Sequence, residues 1–298
     1  MERADGALVT LEPGLRRVLA PNPSPMTFRG TNTYILGEGE VAVIDPGPAM
    51  DAHLASILDA LEPGERIGAI LLTHSHLDHS PLAGVLAADT GAPVLAAGPS
   101  DWGRSPVMEA LARSGGLGGG EGVDTGFAPT RTITEGDRLT GRWGEIEVVA
   151  TPGHMANHLS FGWHGALFSG DMVMGWSTSL VSPPDGDMTA FMASLEVLGQ
   201  RDDRVYYPGH GDPVTEPRAR VAALIAHRKD REAQIRAALG DMEAATAEEL
   251  ARAIYTEVAP ALIPAATRNT LAHLIDLMTR NEIACEGDVT PFARFRLL

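Results

Sequence analysis

Six of the ten histidines of this chain crowd into three short segments, and that crowding is where its chemistry has to be sought. The densest segment is Thr73-His74-Ser75-His76-Leu77-Asp78-His79. Imidazole and carboxylate together suit divalent zinc, iron or manganese. His74 and His76, two apart, can point to one side of the chain, while Asp78 and His79 turn toward a neighbouring position. Thr151-Pro152-Gly153-His154 (with His158 four residues on), Ser169-Gly170-Asp171 and Tyr207-Pro208-Gly209-His210-Gly211 add further donors. A single loop histidine is more often structural than a ligand. Four donor-bearing segments, each directly after an apolar run that reads as a strand, are explained by one shared site. Cys285 lies far along the chain, and nothing here calls for a cysteine nucleophile or a Ser-His-Asp triad.

The elements that must position these donors alternate. Ala69–Leu72 reads as a short strand, so His74 to His79 fall at a carboxyl end, where α/β proteins bind ligands. Thr33–Leu36 and Val41–Ile44, flanking Gly37-Glu38-Gly39, read as a hairpin. Met50–Leu61, Pro81–Thr90 and Thr189–Leu198 read as helices, the last capped by Thr189. Pro93–Ala97, Glu145–Thr151, Leu159–Phe168 (broken by a turn at His164-Gly165) and Val205–Tyr207 read as strands. Residues 98–130, rich in glycine, interrupt the rhythm, either as a mobile loop or as a flap over the site. After Pro217 the texture turns helical over Arg218–Leu239. A capping box of Thr246 and Glu249 precedes a helix over Leu250–Val258. Another helix opens at Pro264, and Ile283–Leu298 reads as a small hairpin turning near Gly287-Asp288. The expected architecture is α/β, with a catalytic domain over 1–216 and a helical, winged-helix-like domain over 217–298.

Composition bounds the partners. The 298 residues carry 23 basic and 39 acidic side chains, a net charge of −16. Residues 217–298 hold 11 of each, so the whole excess lies in the first 216 residues. Such a field repels polyanions and argues against a dedicated nucleic-acid binder. Arg218, Arg220, Arg228, Lys229 and Arg231 cluster on one helix, where Arg228 and Glu232, four apart, fit a salt-bridged, solvated face. One cysteine fits a reducing, cytoplasmic setting. Met1 to Leu11 lacks the apolar run of a secretory signal, and no stretch approaches the roughly 18 apolar residues of a membrane span.

His-Xaa-His-Xaa-Asp-His at 74–79, followed by His154, Asp171 and His210, resembles the metallo-β-lactamase superfamily, over residues 30–215. The resemblance implies an αββα sandwich with two metal ions, zinc first, iron or manganese as alternatives. It implies that His74, His76 and His154 hold one ion, that Asp78, His79 and His210 hold the other, and that Asp171 bridges them. Asp45, in Asp45-Pro46-Gly47 after a strand, would stand behind the ligands, and Asp78 would also orient the attacking hydroxide. His158 would either contact substrate or start a strand. His53, His164 and His273 read as structural.

Gly30-Thr31-Asn32-Thr33-Tyr34, His227-Arg228 with Arg231-Glu232, and the C-terminal helices and hairpin look like the lactamase-beta-2 branch, related to glyoxalase II. In that branch the first stretch, Asn32 included, would line the pocket. One departure stands out: Ser80-Pro81-Leu82-Ala83-Gly84 follows His79 where the superfamily commonly has a glycine pair. The expected function is a dinuclear metal-dependent hydrolase that uses a metal-bridging hydroxide on a small ester, thioester or lactone-like substrate. The alternatives are an endoribonuclease or phosphodiesterase of the same fold, with RNA as partner, and a non-catalytic winged-helix regulator.

Overall fold

The computed structural model describes residues 8–117, 120 and 122–298. The expectation for Met1 to Leu11 therefore falls mostly outside the described residues, as do Gly118 and Gly119 of the glycine-rich stretch. The chain begins with an antiparallel run, β1 (Leu8–Glu12), β2 (Leu15–Leu19), β3 (Asn32–Leu36) and β4 (Glu40–Ile44). It then alternates through α1 (Asp51–Asp59), β5 (Arg66–Leu71), α2 (Leu82–Thr90), β6 (Val94–Ala96), α3 (Pro106–Ser114) and β7 (Arg131–Thr132). These strands form a seven-stranded sheet in chain order, parallel from β4 onward. A second sheet takes β8 (Arg138–Gly141), β9 (Gly144–Ala150), β10 (Leu159–Trp163), β11 (Ala166–Gly170) and, after α4 (Met188–Gln200), β12 (Val205–Pro208). The C-terminal part is α5 (Pro217–Met242), β13 (Ala245–Thr246), α6 (Ala247–Ile254), α7 (Ile263–Thr279), β14 (Ile283–Cys285) and β15 (Arg294–Leu297), with a small sheet ordered β13-β15-β14.

Strand alternation builds the layers. Tyr34, Leu36, Ala42, Ile44, Ala69 and Leu71 face the second sheet and meet Ile146, Val148, Phe161 and Phe168 there. Ile35, Val41, Val43 and Ile70 face the other way, onto Ile57 of α1 and Leu82 and Leu86 of α2. Both faces of the first sheet are thus buried, which is why its strands read as unbroken apolar runs. On the far side, Val149, Leu167 and Tyr206 pack under Phe191, Leu195 and Leu198 of α4 and Val221 and Leu224 of α5. Helix, sheet, sheet and helix are the four layers of an αββα sandwich, as expected.

Several local expectations are corrected. Helix α4 is capped by Asp187, whose carboxylate accepts from the backbone N–H of Thr189 and Ala190; the Thr189 hydroxyl instead donates to Asp276 Oδ1 at 2.6 Å. The helix after the capping box starts at Ala247 and ends at Ile254, short of Val258. The glycine-rich stretch contains α3, opened by Ser105 as cap. Met108 of that helix and Leu117 pack with Ile235, Leu239, Leu271 and Leu274 of the C-terminal part, so this portion is anchored in a core. The solvated-face reading fails at Arg228, which is 1 % exposed. Its guanidinium donates to Ser179 O and to Asn269 Oδ1 and sits 5.0 Å from the Phe191 ring. Glu232 pairs with Arg236 and Arg280 instead.

Candidate metal centre

Strand ends deliver the donors. β5 runs out into Thr73 and His74 to His79, β9 leads to His154, β11 to Asp171, β12 to His210 and β4 to Asp45. All five strands end on the same edge of the sandwich. The donor atoms of His74, His76 and His154 lie within 4.8 Å of one another, and so do those of His74, His79 and Asp171 and of Asp78, His79 and His210. All seven residues named as ligands thus converge, and Asp171 lies against His79, His154 and His210. Gly209 makes room: a Cβ there would stand 2.4 Å from Asp171 Oδ1 and 2.7 Å from His79 Cε1.

The neighbouring atoms orient the imidazoles. Thr73 Oγ1 donates its one proton to Asp45 Oδ2 at 2.7 Å, so His74 Nδ1–H must donate to Thr73 Oγ1 at 2.9 Å. His79 Nδ1–H donates to Asp45 Oδ2 at 2.9 Å, His154 Nδ1–H to Leu180 O at 2.6 Å and His210 Nδ1–H to Gly30 O at 3.1 Å. Each partner can only accept, so four rings are turned to present Nε2 to the centre. An outer acceptor that fixes the tautomer is the usual support of a metal-binding histidine. His74 Nε2 and His154 Nε2 each lie 3.0 Å from His76 Nδ1, and His79 Nε2 lies 3.4 Å from His210 Nε2. Two nitrogens bound at about 2.05 Å to one tetrahedral ion stand about 3.3 Å apart. Asp171 Oδ1, buried and without a hydrogen-bond partner, is a further atom that a cation would satisfy. The residues therefore fit a divalent metal.

Electrostatics agree. Burial pushes the His74 and His154 rings down from the ordinary range and His76 to about 3, keeping them neutral. Burial acts downward on His79 and His210 as well, but the carboxylates of Asp78 and Asp171 outweigh it, holding His79 well above its usual value and His210 at about 9. For Asp78 and Asp171 burial acts upward, and the adjacent imidazoles overcome it and hold both carboxyls low. A field that favours positive charge on two buried rings favours a metal cation at the same spot.

Asp45 stands behind the cluster, its carboxylate shared between His79 Nδ1 and the N–H and hydroxyl of Thr73. Asn32, expected either to touch substrate or to stand behind the ligands, is buried against the His210 loop. Its side-chain amide donates to Pro208 O and Gly211 O, both at 2.9 Å, and its backbone N–H to Gly209 O, which fastens the His210 loop to β3. His158 is buried behind His74: its Nε2 accepts from the Asp171 backbone N–H at 3.2 Å, while Nδ1 meets Thr151 Oγ1 at 2.9 Å. Thr31, in the stretch expected to line the pocket, does reach the site, and Thr73 and Ser179 join it. Thr31 Oγ1 donates to Asp78 Oδ2 at 3.3 Å, and Ser179 Oγ reaches Asp171 O. Thr73 has a signal in sequence as the residue between strand and first histidine; Ser179 has none. His53 and His273 are buried away from the cluster and His164 sits at positive φ in the β10–β11 turn, as structural histidines would.

The cluster opens into a cleft of about 600 Å³. Gly122 and Val123 of the glycine-rich stretch border it, held by an isolated bridge between His76 and Val123 and by Leu77 N–H donating to Gly122 O at 2.7 Å. Its far wall comes from the C-terminal part, through Tyr255, Val258 and Leu262. No helix among the described residues is long and apolar enough to cross a membrane.

Comparison with known proteins agrees with this geometry. The profile of the Metallo-beta-lactamase superfamily matches residues 26–210, and that of the Beta-lactamase associated winged helix domain matches residues 246–292. The Beta-lactamase-like protein 2 homolog of Drosophila melanogaster is 32% identical over 284 residues, covering 91% of this chain and 90% of its own. The Atrochrysone carboxyl ACP thioesterase of Aspergillus fumigatus is 31% identical over 262 residues, 82% of this chain and 74% of its own. The crystal structure of a metallo-beta-lactamase family protein from Thermus thermophilus superposes with a TM-score of 0.77 at 27% identity, over 97% of this chain and 100% of that one.

Proposed function

The chain belongs to the metallo-β-lactamase superfamily and is a hydrolase, and on that premise we propose that it cleaves small thioesters or activated esters at a centre of two divalent cations, zinc first. The observation that carries this reading is the convergence of His74, His76, Asp78, His79, His154, Asp171 and His210 on one edge of the sandwich. Divalent ions there supply a lowered water pKa and positive charge for a developing oxyanion. His74, His76 and His154 would hold one ion, and Asp78, His79 and His210 the other, with Asp171 between. Asp78 borders the cleft with its side chain 26 % exposed, and it is held ionised by His79 and His210. Its carboxylate can therefore accept a hydrogen bond from the attacking water and set that water's direction. Val123, Met174 and Trp176 add apolar surface to the wall of the same cleft.

The thioester preference draws on the Aspergillus fumigatus relative, whose name is that of a thioesterase. The cleft itself argues against a polyanion. Among the described residues, its wall carries three carboxylates, Asp78, Asp171 and Asp185, and outside the metal-site histidines one basic side chain, Arg268. Arg220 and Arg228, which a nucleic-acid track would need, donate to Met174 O, Ser177 O and Ser179 O instead.

The deciding test is elemental analysis of the purified protein together with assays on a thioester panel and on single-stranded RNA. Expected are bound divalent metal, thioester turnover, and loss of both in Asp171→Ala. RNA cleavage that disappears with chelator and in His79→Ala would reverse the ranking of substrates.

A further inference from the structure

Away from the ligands themselves, the wall of the cleft is chemically unlike the metal cluster. It draws Met174, Trp176 and Leu180 from the segment after β11. It also draws Tyr255, Val258 and Leu262 from between the end of α6 and the start of α7. Both segments are braced. The Trp176 ring stacks on Phe28 with centroids 4.9 Å apart and planes 15° from parallel. The Tyr255 ring lies under the Arg231 guanidinium at 4.4 Å. The charged side chains nearby are committed to bonds within the protein. Asp185 accepts from Arg104 at 2.7 Å and from Gly120 N–H at 2.9 Å, and Arg268 donates to Leu117 O at 2.9 Å. What remains on the wall is mostly aliphatic and aromatic, with Ser177, Thr178, Ser182 and Asn269 as uncharged polar exceptions, and it belongs to the same cleft as the metal cluster.

We propose that this part of the C-terminal module is the acyl subsite: Val258 and Leu262, which share the cleft with Leu180 and Trp176, receive an apolar acyl chain whose carbonyl carbon lies at the metal cluster. The inference rests on the thioester reading and adds the substrate class, medium-chain or aryl acyl thioesters. A cleft of about 600 Å³ falls in the range that encloses a small-molecule ligand, room for an acyl group of roughly six to ten carbons beside the reacting bond. The winged-helix module thus serves as a substrate wall, and Val258 and Leu262 are its specificity-determining residues.

The test uses the full chain and N-acetylcysteamine thioesters from acetyl to decanoyl, alongside the matching S-alkyl thioethers, which cannot be hydrolysed. In the wild type kcat/KM rises about fourfold per methylene until the cleft is filled, following the free energy of burying each CH₂. Calorimetric affinities for the thioethers rise in parallel. Leu262→Trp fills the subsite and lowers the ratio of octanoyl to acetyl kcat/KM about tenfold or more, and Val258→Trp does the same. Leu262→Ser, which adds no bulk, lowers it by a smaller factor and guards against a tryptophan variant that fails to fold. Chain-length-dependent thioether binding without thioester turnover would uphold the subsite and overturn the hydrolytic reading. Thioester turnover and thioether binding that are both flat across chain length, or a ratio unmoved in all three variants, overturns the subsite.

Discussion

The Ser80 hydroxyl donates to Asp124 Oδ2 at 2.8 Å, joining the residue after the last histidine of the metal loop to the glycine-rich stretch that borders the cleft. The same junction carries Asp124 N–H donating to Ser75 O at 2.9 Å. The Ser80 side chain pins the 122–124 segment over the site. Ser80→Ala removes a charge-assisted hydrogen bond worth about 1.5–3 kcal/mol. Amide hydrogen exchange at Val123 and Asp124 is expected to quicken and KM to rise, with metal per chain unchanged. Unchanged exchange at those two amides would show that the pin is idle.

Asp45 carries three bonds that an amide cannot reproduce. Its Oδ1 accepts from Thr73 N–H at 2.8 Å, and its Oδ2 from Thr73 Oγ1 at 2.7 Å and His79 Nδ1 at 2.9 Å. In Asp45→Asn one of these donors meets an NH₂, and the charge that holds the His79 ring is gone. Loss of such an outer partner typically costs about 10–100-fold in metal affinity. Competition with a chromophoric chelator measures this directly, and equal affinity in the variant would falsify the positioning role.

Much of this was legible in the chain because ligand sets and apolar strands are local patterns. His74 to His79 follow β5 directly, and His154, Asp171 and His210 follow β9, β11 and β12 in the same way. What the pattern hides is decided by packing between distant segments. Arg228 looks like a surface residue in sequence, yet α5 is covered on that side by α4 and α7, and the guanidinium finds Ser179 O and Asn269 Oδ1 in the interior. Helix α3 is short and set among glycines, and its cap, Ser105 followed by Pro106, was the overlooked local signal. Asn32 reads as a polar pocket residue. Only its pairing with Pro208 O and Gly211 O reveals a clamp on the His210 loop. The contribution of Tyr255, Val258 and Leu262 to the cleft likewise depends on where the C-terminal module docks.

His53 predicts an acid-side loss of stability. Thr33 Oγ1 donates to Asp45 O at 2.6 Å, so His53 Nε2–H donates to Thr33 Oγ1 at 2.9 Å, and the buried Nδ1 has no partner. Burial holds the ring at about 4, below its ordinary value near 6.5. The unfolded chain therefore binds a proton that the folded chain refuses between those two values, and unfolding free energy falls as pH drops from about 6.5 to about 4. The contribution is full above the upper value. The loss is about 1–3 kcal/mol, discounted from the full shift for relaxation around the ring. Urea unfolding at pH 7.5 and pH 5.0 checks it: His53→Phe should flatten the pH dependence relative to wild type, and an equal slope in both proteins contradicts the assignment.

Gly209 gives the sharpest separation of site from fold. Its backbone is held on both sides, N–H donating to Gly170 O at 2.9 Å and carbonyl accepting from Asn32 N–H at 2.8 Å, so it cannot retreat from an added methyl group. That methyl would stand 2.4 Å from Asp171 Oδ1 and 2.7 Å from His79 Cε1, the residue between the two ligand triplets and a member of one of them. The strain must be relieved by moving Asp171 or His79, because the backbone of β12 and β11 is locked in their parallel pairing. Gly209→Ala is expected to keep a cooperative unfolding transition while losing bound metal and turnover. Gly84→Ala is the control. A Cβ there meets nothing within 4 Å. Gly84 lies in the first turn of α2, so alanine there stabilises by at most about 0.5–1 kcal/mol, with metal content unchanged. Elemental analysis and thermal melts of the two variants side by side decide the point, and full metal occupancy in Gly209→Ala would mean that Asp171 and His79 do not need their present separation to bind.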